Sequence, residues 1–170
     1  MIRCIFVLFF VFGTLASFGQ TSKSWQGTAS FEMSFGIAGY AREDGYMSVG
    51  VAATYGMLIN EHYFAGLGVK PNYIFGDFDG FFMPVYGEFK YQSNINAKEF
   101  GYYGMARVGY SPVDQRGVYS HLGGGFIYRR WEFGAGVTYQ YTQFKEMFFK
   151  GYEYLDYNLV FGTISVGYRF

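Results

Sequence analysis

The chain is poor in cysteine, in charge and in long apolar runs, and each scarcity excludes a class of protein. Charged residues make up 15% of the sequence, whereas ordinary soluble domains contain roughly 25%. The 13 bases balance the 13 acids without forming a basic stripe, which argues against nucleic-acid binding. Beyond residue 20, the longest charge-free stretch runs from Gly45 to Asn60 and contains Gly, Ser and Thr. A membrane-spanning helix needs about 20 mostly apolar residues, so a helical membrane protein is excluded.

The amino-terminal segment has the pattern of a secretory signal peptide. A short positive start precedes an apolar run over residues 4–16, and small residues follow it. A membrane anchor, the alternative, would need a longer apolar run. We expect residues 1–19 to be removed, with Gln20 as the new amino terminus. Removal also takes away Cys4, the single cysteine, and leaves residues 20–170 as one domain without a disulfide.

The rest of the chain alternates between apolar residues and small or polar residues, which is the period of a β-strand. The run from Met47 to Ile59 is the clearest example. Turn signals separate eight such segments. They cover residues 29–37, 47–59, 65–73, 83–91, 102–111, 119–129 and 131–141, and a last strand that ends at Phe170. With no spanning helix, a closed barrel is the remaining way to satisfy backbone groups in lipid. The sequence therefore predicts an all-β fold, an eight-stranded antiparallel up-and-down transmembrane β-barrel.

Three local features of this pattern are specific enough to be tested. Residues 143–154 are predicted to form the longest loop, because they interrupt the alternation with charges. Arg129 and Arg130 are predicted to form a tight turn. Leu159 and Phe161 break the alternation of the last strand, which indicates a bulge or a late strand start there.

The charges of the strands indicate which face meets lipid. They all fall on the Gly/Ser/Thr face of their strands: Glu32, Lys70, Glu88, Lys90, Arg107, Glu132 and Arg169. A lipid-facing Lys or Arg near the midplane costs about 2–4 kcal/mol, so we expect the apolar face outside and these seven groups in the lumen. Buried charges persist when they are paired, which predicts a structural ion-pair network. Two alternatives stay open: an ion or proton path through the lumen, and a secreted soluble lipocalin-like binding barrel with the opposite orientation.

Aromatic residues make up 24% of the sequence, more than a small soluble domain could easily bury. Two girdles at the membrane interfaces would use them. The pattern assigns Tyr91, Trp131, Tyr168 and Phe170 to the periplasmic end, and Phe75, Tyr110, Tyr139 and Tyr141 to the outer end.

Short segments along the chain resemble the small eight-stranded outer-membrane barrel proteins of the OmpX/OmpA type, in the Gly-, Tyr- and Phe-rich form common in Bacteroidota. The resemblance is carried by residues 17–20, 64–69, 83–86 and 166–170. It implies a location in the outer membrane of a Gram-negative cell, contact with outer-membrane lipid, and recognition by the barrel-assembly machinery. In that family the terminal strand carries the assembly signal, which Tyr168 and Phe170 would match.

Catalytic and metal sites find little support in the sequence. Some barrels of this class modify lipid A, but His121 and its neighbour Ser120 point to opposite sides of a strand, and His62 lies in a predicted turn. Asp77 and Asp79 stand in a Gly-Asp-Phe-Asp-Gly loop that is too short for a full set of oxygen ligands. We therefore expect no catalytic residue, no metal and no cofactor.

The leading interpretation is a non-enzymatic outer-membrane barrel that supports envelope integrity or acts through its surface loops. The candidate contacts to a surface protein or a lipid headgroup are Lys145, Phe148, Phe149 and Lys150. A lipid A-modifying enzyme is the alternative from a different class.

Overall fold

The computed structural model describes residues 25–39, 45–59, 62–76, 79–93, 100–113, 116–148 and 151–170, with backbone alone for residues 39, 144–148 and 151–155. The regular structure of these residues is entirely β. The strands are β1 (Trp25–Gly39), β2 (Met47–Ile59), β3 (Tyr63–Val69), β4 (Asn72–Phe75), β5 (Gly80–Phe82), β6 (Val85–Gln92), β7 (Phe100–Ser111), β8 (Arg116–Tyr128), β9 (Trp131–Phe148) and β10 (Gly151–Arg169). Among the described residues, no helix has the length and apolar character that crossing a membrane would require.

The strands form one antiparallel sheet whose hydrogen bonding returns to its start. β1 pairs with β10 on one side and with β2 on the other. Phe31, for example, lies opposite Val166 on β10 and opposite Val51 on β2. The sheet is therefore a closed ring with an inner and an outer face. The end of the ring that holds Trp25 and Phe170 is called the terminal end below.

The ten strands occupy eight positions around this ring, because two of the positions are interrupted. β3 and β4 both pair with β2, and β6 and β5 continue the next position. The interruptions fall at Pro71 and Pro84, which have no N–H to donate to a ladder. The two backbones stay linked there, because the Lys70 N–H donates to the Pro84 carbonyl at 3.0 Å.

The irregularity in strand pairing lies on β1, whereas the sequence indicates it on the last strand, β10. β10 runs without interruption from Gly151, and Leu159 and Phe161 are both buried on its inner face. The register shift falls opposite them on β1, between Gly36 and Ala38. The predicted bulge or late start on β10 is therefore wrong, because two apolar residues occupy inner positions that the pattern reserved for polar ones.

The segment predicted to be the longest loop is a β-hairpin. β9 and β10 pair with each other as far as Phe148 and Gly151. The last partners in the neighbouring strands are Arg116, opposite Gln143, and Gly39, opposite Leu159. The pairing of β9 with β10 thus extends beyond the last residues of β8 and β1 that pair with them. Its charged residues suggested a loop in the sequence but do not interrupt the ladder.

Glycines on the inner face make room for larger side chains. Gly123 and Gly136 face each other across β8 and β9. A Cβ on Gly123 would lie 2.6 Å from Nε2 of His121, and one on Gly136 would lie 2.8 Å from its Cε1. Gly134 similarly receives the hydroxyl of Tyr103. These contacts give the Gly-rich segment of β8, which hardly specifies a register by sequence, a defined place in the sheet.

Candidate functional site

The strand charges meet inside the ring. All seven predicted lumen residues are buried, with none more than 8% exposed: Glu32, Lys70, Glu88, Lys90, Arg107, Glu132 and Arg169. Large apolar side chains cover the outer face instead, and Leu67 and Leu122 are 73% and 70% exposed. The charged side chains therefore lie on the inner face and the large apolar ones on the outer face, as the alternation of the sequence predicts.

Arg107 on β7 is the centre of the buried ion pairs. Its Nη1 lies 2.5 Å from Oε1 of Glu32, and its Nε lies 2.6 Å from Oε2 of Glu88. The second oxygen of Glu32 lies 2.8 Å from Nζ of Lys70. Thr54 also donates to Glu88 at 3.2 Å. One guanidinium thus joins carboxylates from β1 and β6.

Lys90 extends these pairs towards the terminal end. Its Nζ lies 3.3 Å from Oε1 of Glu88 and 2.9 Å from Oε2 of Glu132. Acids and bases therefore alternate along one chain of contacts, in the order Lys70, Glu32, Arg107, Glu88, Lys90, Glu132. Three bases and three acids leave this buried chain, called the ion-pair chain below, with no formal net charge.

Arg169 differs from the other six predicted lumen residues. It donates to Oε1 of Gln92 at 3.0 Å and to the carbonyl of Arg129 at 3.1 Å, and it has no salt bridge to a described carboxylate. Gln92 in turn donates to Gln26 at 3.3 Å. The expectation that all seven groups form one network is wrong for Arg169, because its position at the end of β10 puts it beside amides and a turn.

Aromatic rings on the inner face lie against the cations of the ion-pair chain. The guanidinium of Arg107 lies 5.0 Å from the ring centre of Tyr86, and Nζ of Lys70 lies 5.5 Å from that of Tyr119. Lys90 lies between Phe64 and Tyr103. Such contacts offset part of the cost of taking a cation out of water. Aromatic residues at inner positions of the strands, such as Tyr86 and Tyr119, are the sequence signal of these contacts.

Clusters of buried apolar side chains lie inside the ring on both sides of the ion-pair chain. One lies towards the end opposite the termini and includes Tyr46, Ile74, Phe82, Leu159 and Phe161. The other, nearer the terminal end, contains Tyr103, Met105 and Ile127. Eight strands enclose just enough space for side chains to fill, and both clusters lie within that space.

His121 takes part in a line of hydroxyl groups inside the ring. Its Nδ1 lies 2.8 Å from Oγ1 of Thr138, which lies 2.8 Å from Oγ1 of Thr163, and that oxygen lies 2.9 Å from Oγ of Ser34. Ser120 is on the other face of β8. His62 lies at the terminal end, where Nδ1 is 3.0 Å from the carbonyl of Gln92. Among the described residues, neither histidine forms a hydrogen bond with a serine.

Asp79 has a local role in the turn between β4 and β5. Its Oδ1 accepts a hydrogen bond from the Gly76 N–H at 2.9 Å, which is ordinary turn chemistry for Asp. Asp77 lies outside the described residues. Within the part of the chain that the structure describes, no three His, Cys, Asp or Glu side chains stand close enough to hold a metal ion.

The candidate surface contacts are divided between the hairpin and the undescribed part of the chain. Lys145 and Phe148 belong to β9, and their backbones pair with β10. Phe149 and Lys150 lie outside the described residues. The structure therefore changes the context of the first two from a loop to a paired strand.

The carboxyl-terminal residues help to close the ring. The N–H and carbonyl groups of Phe170 and Gly27 exchange two hydrogen bonds of 3.0 Å, and the Phe170 ring covers Gly27. Tyr168 lies on the outer face, where its ring contacts Trp131 edge-on at 5.3 Å. Both residues of the predicted assembly signal are thus part of the β1–β10 closure in the folded chain.

Aromatic side chains are frequent on the outer face near both ends of the ring, and aliphatic ones predominate between them, with Phe31 and Phe89 as exceptions. The group at the terminal end includes Trp25, Tyr63, Tyr91, Tyr102, Trp131 and Tyr168, and the group at the opposite end includes Phe75, Tyr110 and Tyr139. The residues between them include Val51, Leu67, Val108, Leu122 and Ile164.

Comparison with models of protein families gives no match, and comparison with curated proteins gives none either.

Proposed function

We propose that residues 20–170 form an integral outer-membrane β-barrel without enzymatic activity, exported by a signal peptide over residues 1–19. The observation that carries this proposal is the sorting of side chains between the two faces of one closed sheet. The strand charges are buried, and large apolar side chains are exposed around the ring. A soluble monomer rarely exposes contiguous apolar patches larger than a few hundred Å², whereas lipid is the solvent that such a surface fits.

The distribution of aromatic residues supports the same location. Tyr and Trp favour the interfaces between membrane and water, and outer-membrane barrels carry an apolar band between two aromatic girdles. The outer face of this chain has that order. A soluble binding barrel would need charged groups on its outer face and an apolar cavity inside, which is the reverse arrangement.

The ion-pair chain and the two apolar clusters support a structural lumen. A conducting pore needs polar groups along a continuous open path. Here the charged groups are paired with one another, and aromatic rings pack against their cations. We therefore assign the charges of the lumen to stability, and we place the functional contacts outside it.

Those contacts belong to the end of the barrel opposite the termini, on the β9–β10 hairpin. Recognition usually resides on segments that project from a rigid scaffold. The hairpin continues beyond Gln143 and Leu159, the last positions with described partners on β8 and β1. Lys145 and Phe148 lie on it, and we propose that Phe149 and Lys150, which follow Phe148 in the sequence, contribute to the same contacts. A surface protein or a lipid headgroup would be met there, in support of envelope integrity.

Cell fractionation followed by gel electrophoresis of boiled and unboiled samples tests the proposal. We expect the mature chain in the outer-membrane fraction, released by detergent, with an unboiled band that migrates faster than the boiled one. A chain that is released from the periplasm without detergent would contradict the membrane location.

A further inference from the structure

A row of aromatic rings crosses three strands of the outer face at the terminal end. Tyr128, Trp131 and Tyr168 are cross-strand neighbours on β8, β9 and β10, and all three are exposed. The row continues into apolar surface, because Phe133 and Val166 face each other two residues further along the strands. The turn that joins β8 to β9 lies directly beside the row and contains Arg129 and Arg130.

This turn has an unusual residue at its first position. Arg129 has a φ of 57°, a left-handed conformation that non-glycine residues seldom adopt and that Gly and Asn favour in two-residue hairpin turns. Arg169 holds the turn in place from the inside. Its Nη2 donates to the Arg129 carbonyl at 3.1 Å, and its N–H donates to the Arg130 carbonyl at 2.8 Å.

Both guanidinium groups of the turn lie against the aromatic row. The Arg129 guanidinium is 5.5 Å from the ring centre of Tyr128, and Nη1 of Arg130 is 3.4 Å from the hydroxyl of Tyr168. Both arginines are exposed. Arg129 thus contacts the β8 member of the row, and Arg130 contacts the β10 member.

The positive charge of this turn has no described counter-ion. The salt bridges of the described residues involve Lys70, Lys90 and Arg107, all of them buried. Apart from the turn, the exposed Lys and Arg of the described chain are limited to Arg116, which lies at the opposite end of the ring. Among the described residues of the terminal end, the exposed basic side chains without a salt bridge are therefore those of Arg129 and Arg130.

We propose that Arg129 and Arg130 bind the phosphate of an anionic glycerophospholipid whose acyl chains lie along Trp131, Phe133 and Val166. The inference rests on the membrane location proposed above. Guanidinium groups match phosphate oxygens in charge and geometry, and interfacial Tyr and Trp lie at the depth of lipid headgroups. Free phosphate offers the same anionic oxygens. The adjoining apolar surface favours the lipid, because it would have no partner in a complex with free phosphate.

Native mass spectrometry of the folded mature chain in detergent micelles tests this site. The probes are phosphatidylglycerol and phosphatidylethanolamine with identical acyl chains, supplied as an equal mixture. The test variant combines Arg129→Asn, which suits the left-handed backbone, with Arg130→Gln. The matched control is Arg116→Gln, which removes an exposed arginine from the other end.

We expect the wild type to retain phosphatidylglycerol preferentially. The double variant should lose this preference by roughly thirty-fold, from about 1 kcal/mol for each basic residue near a membrane surface. Arg116→Gln should leave it unchanged, and excess inorganic phosphate should not displace the lipid. The compact unboiled band, checked for each variant, should be the same for all. If the double variant does not fold, Arg130→Gln alone is compared with the control.

Three results would overturn the inference: equal retention of the two lipids by the wild type, equal losses in the double variant and the control, or displacement by inorganic phosphate. Any of these in a chain with a compact band would leave the barrel proposal intact. A wild-type chain that forms no compact band and remains soluble without detergent would overturn both.

Discussion

Arg107 and Leu122 lie on neighbouring strands at almost the same level, yet they have opposite surroundings. Arg107 is 3% exposed and contacts two carboxylates, whereas Leu122 is 70% exposed. Arg107 lies opposite His121, the residue before Leu122, so a step of one residue along β8 separates the two environments. The comparison teaches that charge is accepted in the middle of these strands where partners surround it, whereas the exposed strand charges Arg116 and Asp156 lie towards one end of the outer face.

Removal of Arg107 should have the largest effect on the inner face. Arg107→Leu leaves Glu32 and Glu88 buried without the cation that joins them. We expect the free energy of unfolding in lipid vesicles, measured by urea titration, to fall by about 3–5 kcal/mol, as is usual when one partner of a buried pair is lost. Adding Glu88→Gln should restore much of this loss, because Lys70 then keeps Glu32 and Lys90 keeps Glu132 as partners. A fall below 1 kcal/mol in Arg107→Leu would contradict the central place of Arg107.

Introduction of charge on the outer face is the converse change. Leu122→Arg should lower the stability in vesicles by about 2–4 kcal/mol, because Leu122 lies in the middle of β8 and would face the bilayer core. Val118→Arg, nearer the end of the same strand, serves as the matched control and should cost about 0–1 kcal/mol. Equal effects at the two positions in the same titration would argue against a bilayer around the ring.

Replacement of a glycine by alanine should cost more stability on the packed inner face than on the open outer face. Gly134→Ala places a methyl group against the hydroxyl of Tyr103, and we expect a loss of about 1–3 kcal/mol from overpacking. Gly104→Ala is the control, since a Cβ there would meet no atom within 4 Å. It should leave the urea midpoint unchanged or raise it. A larger loss for Gly104→Ala than for Gly134→Ala would contradict the assignment of faces.

The smallest effect is expected in the line of hydroxyl groups beside His121. Thr163→Val keeps the shape of the side chain but removes the group that contacts Thr138 and Ser34. We expect a loss of about 1 kcal/mol, typical of a neutral hydrogen bond. Thr142→Val is the control, because the Thr142 hydroxyl is buried without a hydrogen-bond partner among the described residues. Comparable losses in the two variants would show that the line of hydroxyls adds nothing.

The sequence correctly predicted which strand side chains lie on the inner face and which on the outer face, with few exceptions. Successive side chains of a strand point to opposite faces, so the position of one residue determines the positions of the others. One charged residue in a strand, such as Glu132, assigns every other residue of that strand to a face. Met47–Ile59 was predicted with the bounds that β2 has in the structure. The hairpin beyond Gln143 was missed, since charged residues indicate a loop unless the pairing of two strands is known.

The partners within the ion-pair chain could not be derived from the sequence. Lys70 pairs with Glu32 and Lys90 with Glu132, over distances in the chain that depend on the register of every strand between them. Strand pattern alone gives the face of a residue and does not give its height in the ring. Arg169 illustrates the difference, because it is on the correct face but lies too near the end to join the others.

The accessibility of labels on β8 tests the central claim most directly. Residues 20–170 contain no cysteine, so a spin label can be attached to this part of the chain at Val118→Cys, Leu122→Cys and Phe126→Cys in turn. In vesicles we expect all three labels to be relaxed more by oxygen, which dissolves in lipid, than by a water-soluble nickel complex, with the largest difference at residue 122. Preferential relaxation by the nickel complex at residue 122 would place water against the outer face and contradict the account.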